Sequence, residues 1–185
     1  MKTQIIAHVI GIEGGFSDHA NDPGGATRYG ITEQVARAHG YTGEMSRLPA
    51  EIAVEIYSKK YWDTLNLDDV LLLSPSIAFE LFDSGVNAGV GRAGCWLQDT
   101  LNRFNRQARD YEDIPVDGDV GPRTIAALQA LINKRGTTGK KIVWRALNCL
   151  QGAHYMELPQ KFEDFKVGWL SHRVGELPPF IQEGE

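Results

Sequence analysis

Ile5, Ile6, Val9, Ile10 and Glu13 fall at i, i+1, i+4, i+5 and i+8, the spacing of one helix face. The same period recurs along most of the chain, and no parallel-strand pattern appears. Gly14-Gly15 stops the first helix. Thr32 is placed to cap a helix over 33–39, with Glu33 in its first turn. Residues 49–61 read as another helix with Pro49 near its first position. Ser74-Pro75 starts a helix through Ile77, Ala78, Leu81 and Phe82. Residues 92–105 form a further helix with Trp96, Leu97 and Leu101 on one face. Gly121-Pro122 opens a helix through Ile125, Leu128 and Leu131, and 140–156 and 159–172 read as the last two. Pro178-Pro179 is expected to end the ordered chain. Between the first two helices, residues 16–30 are polar and glycine-rich, suiting a loop or short hairpin. The expected class is mainly α (α+β), with a small β or loop insertion near residues 16–32.

The chain has 185 residues, enough for a real core without disulfide staples and for one domain or one with a small annex. Its 20 glycines, about 11% of the chain, exceed the roughly 7% average, which implies unusual backbone demands. Twelve of them fall at or before Gly30, in 85–94 and in 118–121. Charge is unevenly spread. Residues 1–133 carry 11 basic and 18 acidic side chains, net −7; residues 134–173 carry 8 and 3, net +5. An acidic body argues against nucleic acid as a partner. The basic stretch is a solvated helix face or a rest for an anionic polymer. No apolar run reaches the roughly 18 residues of a membrane span, so stable membrane insertion is not expected. His8 and Glu13 interrupt any signal-peptide core, so synthesis in the cytoplasm without a signal peptide is expected. Cys95 and Cys149 stand 54 positions apart and read as free thiols.

Glu13 is the most informative residue for chemistry. It shares a stripe with Ile6, Val9 and Ile10, and it ends a helix, near the negative pole of the dipole. Both positions disfavour a carboxylate and favour the protonated acid that can donate to a leaving oxygen. The alternative is a glutamate that reaches solvent or pairs with an arginine. Asp22 follows nine positions later, in Asn21-Asp22-Pro23-Gly24-Gly25. It could face Glu13 across a groove and position water or stabilise an oxocarbenium ion, or it could close an Asx-turn on its own backbone. Thr27 and Tyr29 offer hydroxyls, and Tyr29 also a flat face, suited to a sugar ring. Asp83 and Asn87, at i and i+4 on one helix, line a groove or bond locally. Trp62 stacks on a sugar or fills the core.

Glu13-Gly14-Gly15-Phe16, Asn21-Asp22-Pro23-Gly24-Gly25, Thr27 and Tyr29-Gly30-Ile31-Thr32 resemble the start of the phage and prophage N-acetylmuramidases of glycoside hydrolase family 108. The resemblance continues through Tyr61-Trp62 and Leu81-Phe82-Asp83-Ser84-Gly85-Val86-Asn87-Ala88-Gly89. It implies a lysozyme-like helical fold, with Glu13 as the catalytic acid and Thr27, Tyr29, Thr32, Asp83 and Asn87 as substrate-binding candidates. The order Glu13, Asp22, Thr27 also loosely resembles the T-even phage lysozymes, from which Asp22 takes a possible supporting role. Ile114-Pro115-Val116-Asp117-Gly118-Asp119-Val120-Gly121-Pro122-Arg123-Thr124 is similar to the predicted peptidoglycan-binding domain that follows the muramidase core. Asp117-Gly118 makes a turn, Gly121 lets the chain reverse and Pro122 starts the helix, so its first role is structural and wall contact its second.

The resemblance implies cleavage of the β-1,4 bond between N-acetylmuramic acid and N-acetylglucosamine in peptidoglycan glycan strands. It implies an endolysin role at the periplasmic cell wall and no metal or organic cofactor. A lytic transglycosylase on the same substrate, or a non-catalytic wall-binding or secretion-associated protein, is the alternative. The expected layout is a catalytic part over 1–92, a helical annex over 93–175 packed on it, and a tail over 176–185. Gly89-Val90-Gly91-Arg92-Ala93-Gly94 matches GxGxxG but follows a helical pattern rather than a strand, so its glycines read as sites of close backbone packing. Asp117-Gly118-Asp119 lacks EF-hand spacing, and His19 lacks the partners of a zinc site.

Overall fold

A computed structural model describes residues 1–13, 16–17 and 26–182 of the chain. It is mainly helical with a small antiparallel sheet, and it divides into two compact units, Met1–Lys60 and Tyr61–Glu185.

In the first unit, α1 (Lys2–Glu13) buries Ile5, Ile6, Val9 and Ile10, the stripe expected from their spacing. It packs against α3 (Ala50–Tyr57), which buries Ala53, Ile56 and Tyr57. The insertion between α1 and α2 is a three-stranded antiparallel sheet in the order β1 (Phe16–Ser17), β2 (Thr27–Arg28), β3 (Ile31–Thr32). Thr32 then caps α2 (Glu33–Ala38), its hydroxyl accepting from the Val35 N–H at 3.4 Å. Pro49 stands one place earlier than expected, as the N-cap of α3, where its missing N–H costs nothing. The expected helix over 49–61 stops being α at Tyr57 and continues as a π-helical turn over Ser58–Trp62.

The second unit is built around α5 (Pro75–Ala88). Ser74 caps it, accepting from the Ile77 N–H, and every residue from Ser76 to Gly85 is buried. It packs on α4 (Leu67–Leu73), α6 (Val90–Phe104) and α7 (Pro122–Glu157). Sequence periodicity missed α4 because it is short and Leu72 lies 85% exposed on it. Trp62 belongs to this core, fully buried, with its indole N–H donating to Asp68 at 2.9 Å. The helices expected over 122–131 and 140–156 meet at Gly136, whose φ of +57° breaks an otherwise continuous run. After α8 (Glu163–His172) the chain does not end at the two prolines: Ile181 is buried and its N–H donates to the Pro178 carbonyl.

Of the GxGxxG glycines, Gly94 packs a backbone closely, against the Asp117-Gly118 turn, whereas a Cβ on Gly89 or Gly91 would meet nothing within 4 Å. A Cβ on Gly94 would stand 2.2 Å from the Gly118 carbonyl oxygen, and one on Gly118 would stand 2.7 Å from the Gly91 oxygen. Gly118 has a φ of +84°, which its turn requires. Gln98 on α6 holds the same turn. Its carbonyl oxygen accepts from the Asp117 and Gly118 N–H groups, and its amide donates to Asp117, the Asp119 carbonyl and Thr124. A backbone atom cannot swing away as a side chain can. Gly94→Ala should therefore cost about 1–3 kcal/mol by overpacking. Gly11→Ala, with nothing within 4 Å of the new Cβ, should be neutral or stabilising by about 0.5–1 kcal/mol. Urea unfolding of the two variants beside the parent checks the contrast.

Candidate active site and its supports

Glu13 is the last residue of α1. Its side chain, and the whole of Asp22, lie outside the described residues. What the first unit does bring together is the hairpin downstream. Antiparallel pairing sets Thr27 opposite Thr32 and Arg28 opposite Ile31, with Tyr29 and Gly30 in the turn. Tyr29 adopts a φ of +55°, unusual for a side chain of its size. The Tyr57 hydroxyl of α3 donates to the Tyr29 carbonyl at 2.8 Å, fixing the turn to the helix behind it. The Arg28 guanidinium lies 5.0 Å from the Tyr29 ring centroid, a cation–π contact. Thr27, Tyr29 and Thr32 are all half-buried; the Thr32 hydroxyl already accepts from Val35 as the cap of α2, and the Tyr29 hydroxyl accepts from Arg28 at 3.4 Å.

Asp83 and Asn87 lie in the second unit. Asp83 is 1% exposed. Its carboxylate takes the Arg173 guanidinium at 2.5 Å and the Gln151 amide at 2.7 Å. Asn87 donates to the Asp83 carbonyl at 2.7 Å, the local use open to a side chain at i+4.

The sequence reading did not single out Glu80, three residues before Asp83 and fully buried. One oxygen accepts from Asn148 at 2.9 Å, while Oε1 has no hydrogen-bond partner among the described residues. Asn148 in turn accepts from the Gly175 N–H. Burial, and then the negative charge of Asp83, push the Glu80 carboxyl well above its ordinary value. The sequence carried no such signal: Ser76, Glu80, Asp83 and Asn87 share one helical stripe that reads as a solvated polar face, and only the packing of α7 against it buries the two carboxylates.

Two outcomes follow from this cluster. Removing one member of a buried ion pair strands the other charge, so Arg173→Met should destabilise by about 3–5 kcal/mol. Arg173→Met with Asp83→Leu should recover much of that loss in urea titrations. For Glu80 the folded state binds the proton more tightly than the unfolded chain. Its stabilising effect is fully present below the ordinary value of 4.5 and is lost as pH rises through the raised one. Glu80→Gln should therefore flatten stability against pH, matching the parent in acid and exceeding it at pH 8. Unfolding midpoints across that range read the difference.

Among the described residues no group of three or more His, Cys, Asp or Glu could hold a metal ion. Cys95 and Cys149 are free thiols. No described helix is long and apolar enough to cross a membrane. Residues 6–89 match the family Glycosyl hydrolase 108, and residues 92–174 match the Predicted Peptidoglycan domain. No curated protein matches the chain. Among solved structures it is similar to SagA of Brucella abortus, at 27% identity and a TM-score of 0.64, over 92% of this chain and 87% of that one. The chain therefore joins a glycosyl hydrolase 108 region, over residues 6–89, to a predicted peptidoglycan domain over 92–174.

Proposed function

We propose that this glycoside hydrolase cleaves the β-1,4 bond between N-acetylmuramic acid and N-acetylglucosamine, with Glu13 as the general acid. The observation that carries the reading is the pair of family matches on one chain, a glycosyl hydrolase over 6–89 and a peptidoglycan domain over 92–174. Glu13 lies inside the first match and closes α1. A carboxyl on the last residue of a helix meets the unfavourable end of the dipole, which favours its protonated form. The acid protonates the glycosidic oxygen as the bond breaks, positive charge spreads over the ring oxygen and anomeric carbon, and water completes the hydrolysis. Asp22 is the candidate to steady that charge or orient the water. Thr27, Tyr29 and Thr32 are the candidates to hold the sugar, offering hydroxyls and one aromatic ring. Asp83, buried on Arg173 and Gln151, holds its own unit together. In this reading catalysis belongs to residues 1–92 and wall retention to 93–175, and lysis of a host by a phage or prophage is the biological setting.

Glu13→Gln should keep the fold, checked by circular dichroism, and lower release of fragments from purified peptidoglycan by at least about a hundredfold. Mass spectrometry of those fragments tests the bond and the reaction together. Reducing N-acetylmuramic acid ends are expected. Anhydro ends would make the enzyme a lytic transglycosylase, and full activity in the variant would remove Glu13 from the chemistry.

A further inference from the structure

The loop before α7 carries a built recess that neither the catalytic reading nor the turn chemistry uses. Two adjoining hollows, of about 360 and 530 Å³, share Ile114, Pro115 and Arg123 in their walls. Asp117 and Asp119 line the first; Tyr111, Glu112 and Ala126 line the second. Together they make one trough with an aliphatic wall and a cation common to both halves.

The trough is rigid where it matters. Gln98 clamps the 117–119 turn from beneath, and Asn102 bonds the Ile114 backbone through both its amide groups. Asp117 is spent in this network, since its carboxylate accepts from Gln98 and from the Asp119 N–H. Three other charges are not spent. Among the described residues the exposed side chains of Arg123, Asp119 and Glu112 make no hydrogen bond or close ion pair, Arg123 acting on the Asp117 carboxylate only through space, although charges of both signs border one recess. Unpaired charges held around a preformed hollow suit a ligand that brings its own carboxylate and its own ammonium.

Resting on the peptidoglycan reading above, we propose that this trough binds the peptide stem of peptidoglycan rather than its sugars. Arg123 takes a stem carboxylate, Asp119 or Glu112 takes an ammonium, and Ile114, Pro115 and Ala126 cover the short aliphatic side chains between them. An N-acetylated sugar is uncharged and is held by aromatic faces and amide-directed hydrogen bonds. Here the wall is aliphatic, with Tyr111 the one ring lining either hollow.

The test titrates the full chain with a synthetic, sugar-free stem tetrapeptide containing diaminopimelate, and separately with a peptide-free N-acetylglucosamine oligomer, following backbone amide shifts by NMR. The tetrapeptide should move amides of residues 111–127, and the oligomer should not. Arg123→Glu reverses the central charge, and Ala126→Trp fills the trough without touching a charge. Both residues are exposed, so circular dichroism should be unchanged, and each variant should weaken tetrapeptide binding about tenfold or more. Shifts at 111–127 from the oligomer, tetrapeptide shifts confined elsewhere, or unchanged affinity in both variants would overturn the proposal. Fragment release is measured separately. A chain that binds the tetrapeptide here but frees no glycan fragments keeps this proposal and loses the glycosidase mechanism; the reverse result does the opposite.

Discussion

Burying two carboxylates one turn apart on the central helix is the constraint that organises the Tyr61–Glu185 unit. An unpaired buried carboxylate is prohibitively costly, so Asp83 must meet a cation and Glu80 must either find donors or hold a proton. Both solutions are present. Arg173 comes from beyond α8 to neutralise Asp83, and Gln151 of α7 fills its second oxygen. Glu80 takes one donor from Asn148, and its raised proton affinity covers the remainder. Asn148 also accepts from Gly175, so the same few side chains tie α5, α7 and the segment after α8 into one body. That segment lies near neither carboxylate in sequence, and the ion pair gives the chain a reason to return there after α8.

A second constraint acts on the other side of α6. The glycines at 94 and 118 let the 117–118 turn lie directly on the helix, and Gln98, one turn on from Gly94, satisfies the turn's backbone groups. The two devices depend on each other. Without those glycines the turn could not come close enough for Gln98 to reach it; without Gln98 the Asp117 and Gly118 N–H groups would lose this acceptor. Pro122 then starts α7 where no donor is needed. A GxGxxG string that elsewhere would cradle a pyrophosphate here cradles a peptide turn, for the same reason: absent Cβ atoms admit a backbone.

What the sequence made legible was local. The apolar stripes of α1 and α3, the caps Thr32 and Ser74, and the Asp117-Gly118 turn each depend on residues within a few positions of one another. The place of Glu13 at the end of α1 was readable for the same reason. Domain-scale pairing was not. Glu80 meets a residue 68 positions away, and Asp83 meets residues 68 and 90 positions away. No periodicity encodes such partners. The i, i+4 spacing of Asp83 and Asn87 left groove lining and local bonding equally open, and the burial of Asp83 appears only once α7 and the chain after α8 are in place.

The same distinction separates the two kinds of site proposed for this protein. A general acid is defined by one residue and its immediate backbone setting, so a helix end and a motif suffice to nominate it. A recognition surface is defined by what remains unpaired after folding. Arg123 is an ordinary surface arginine in the sequence. It gains meaning only because Gln98 takes up Asp117, the neighbouring carboxylate, leaving Arg123 to act on it through space and, with Asp119 and Glu112, without a hydrogen-bonded partner among the described residues. An enzyme that must stay on an insoluble polymer needs such residual charges, since groups already satisfied internally have little left to offer a ligand.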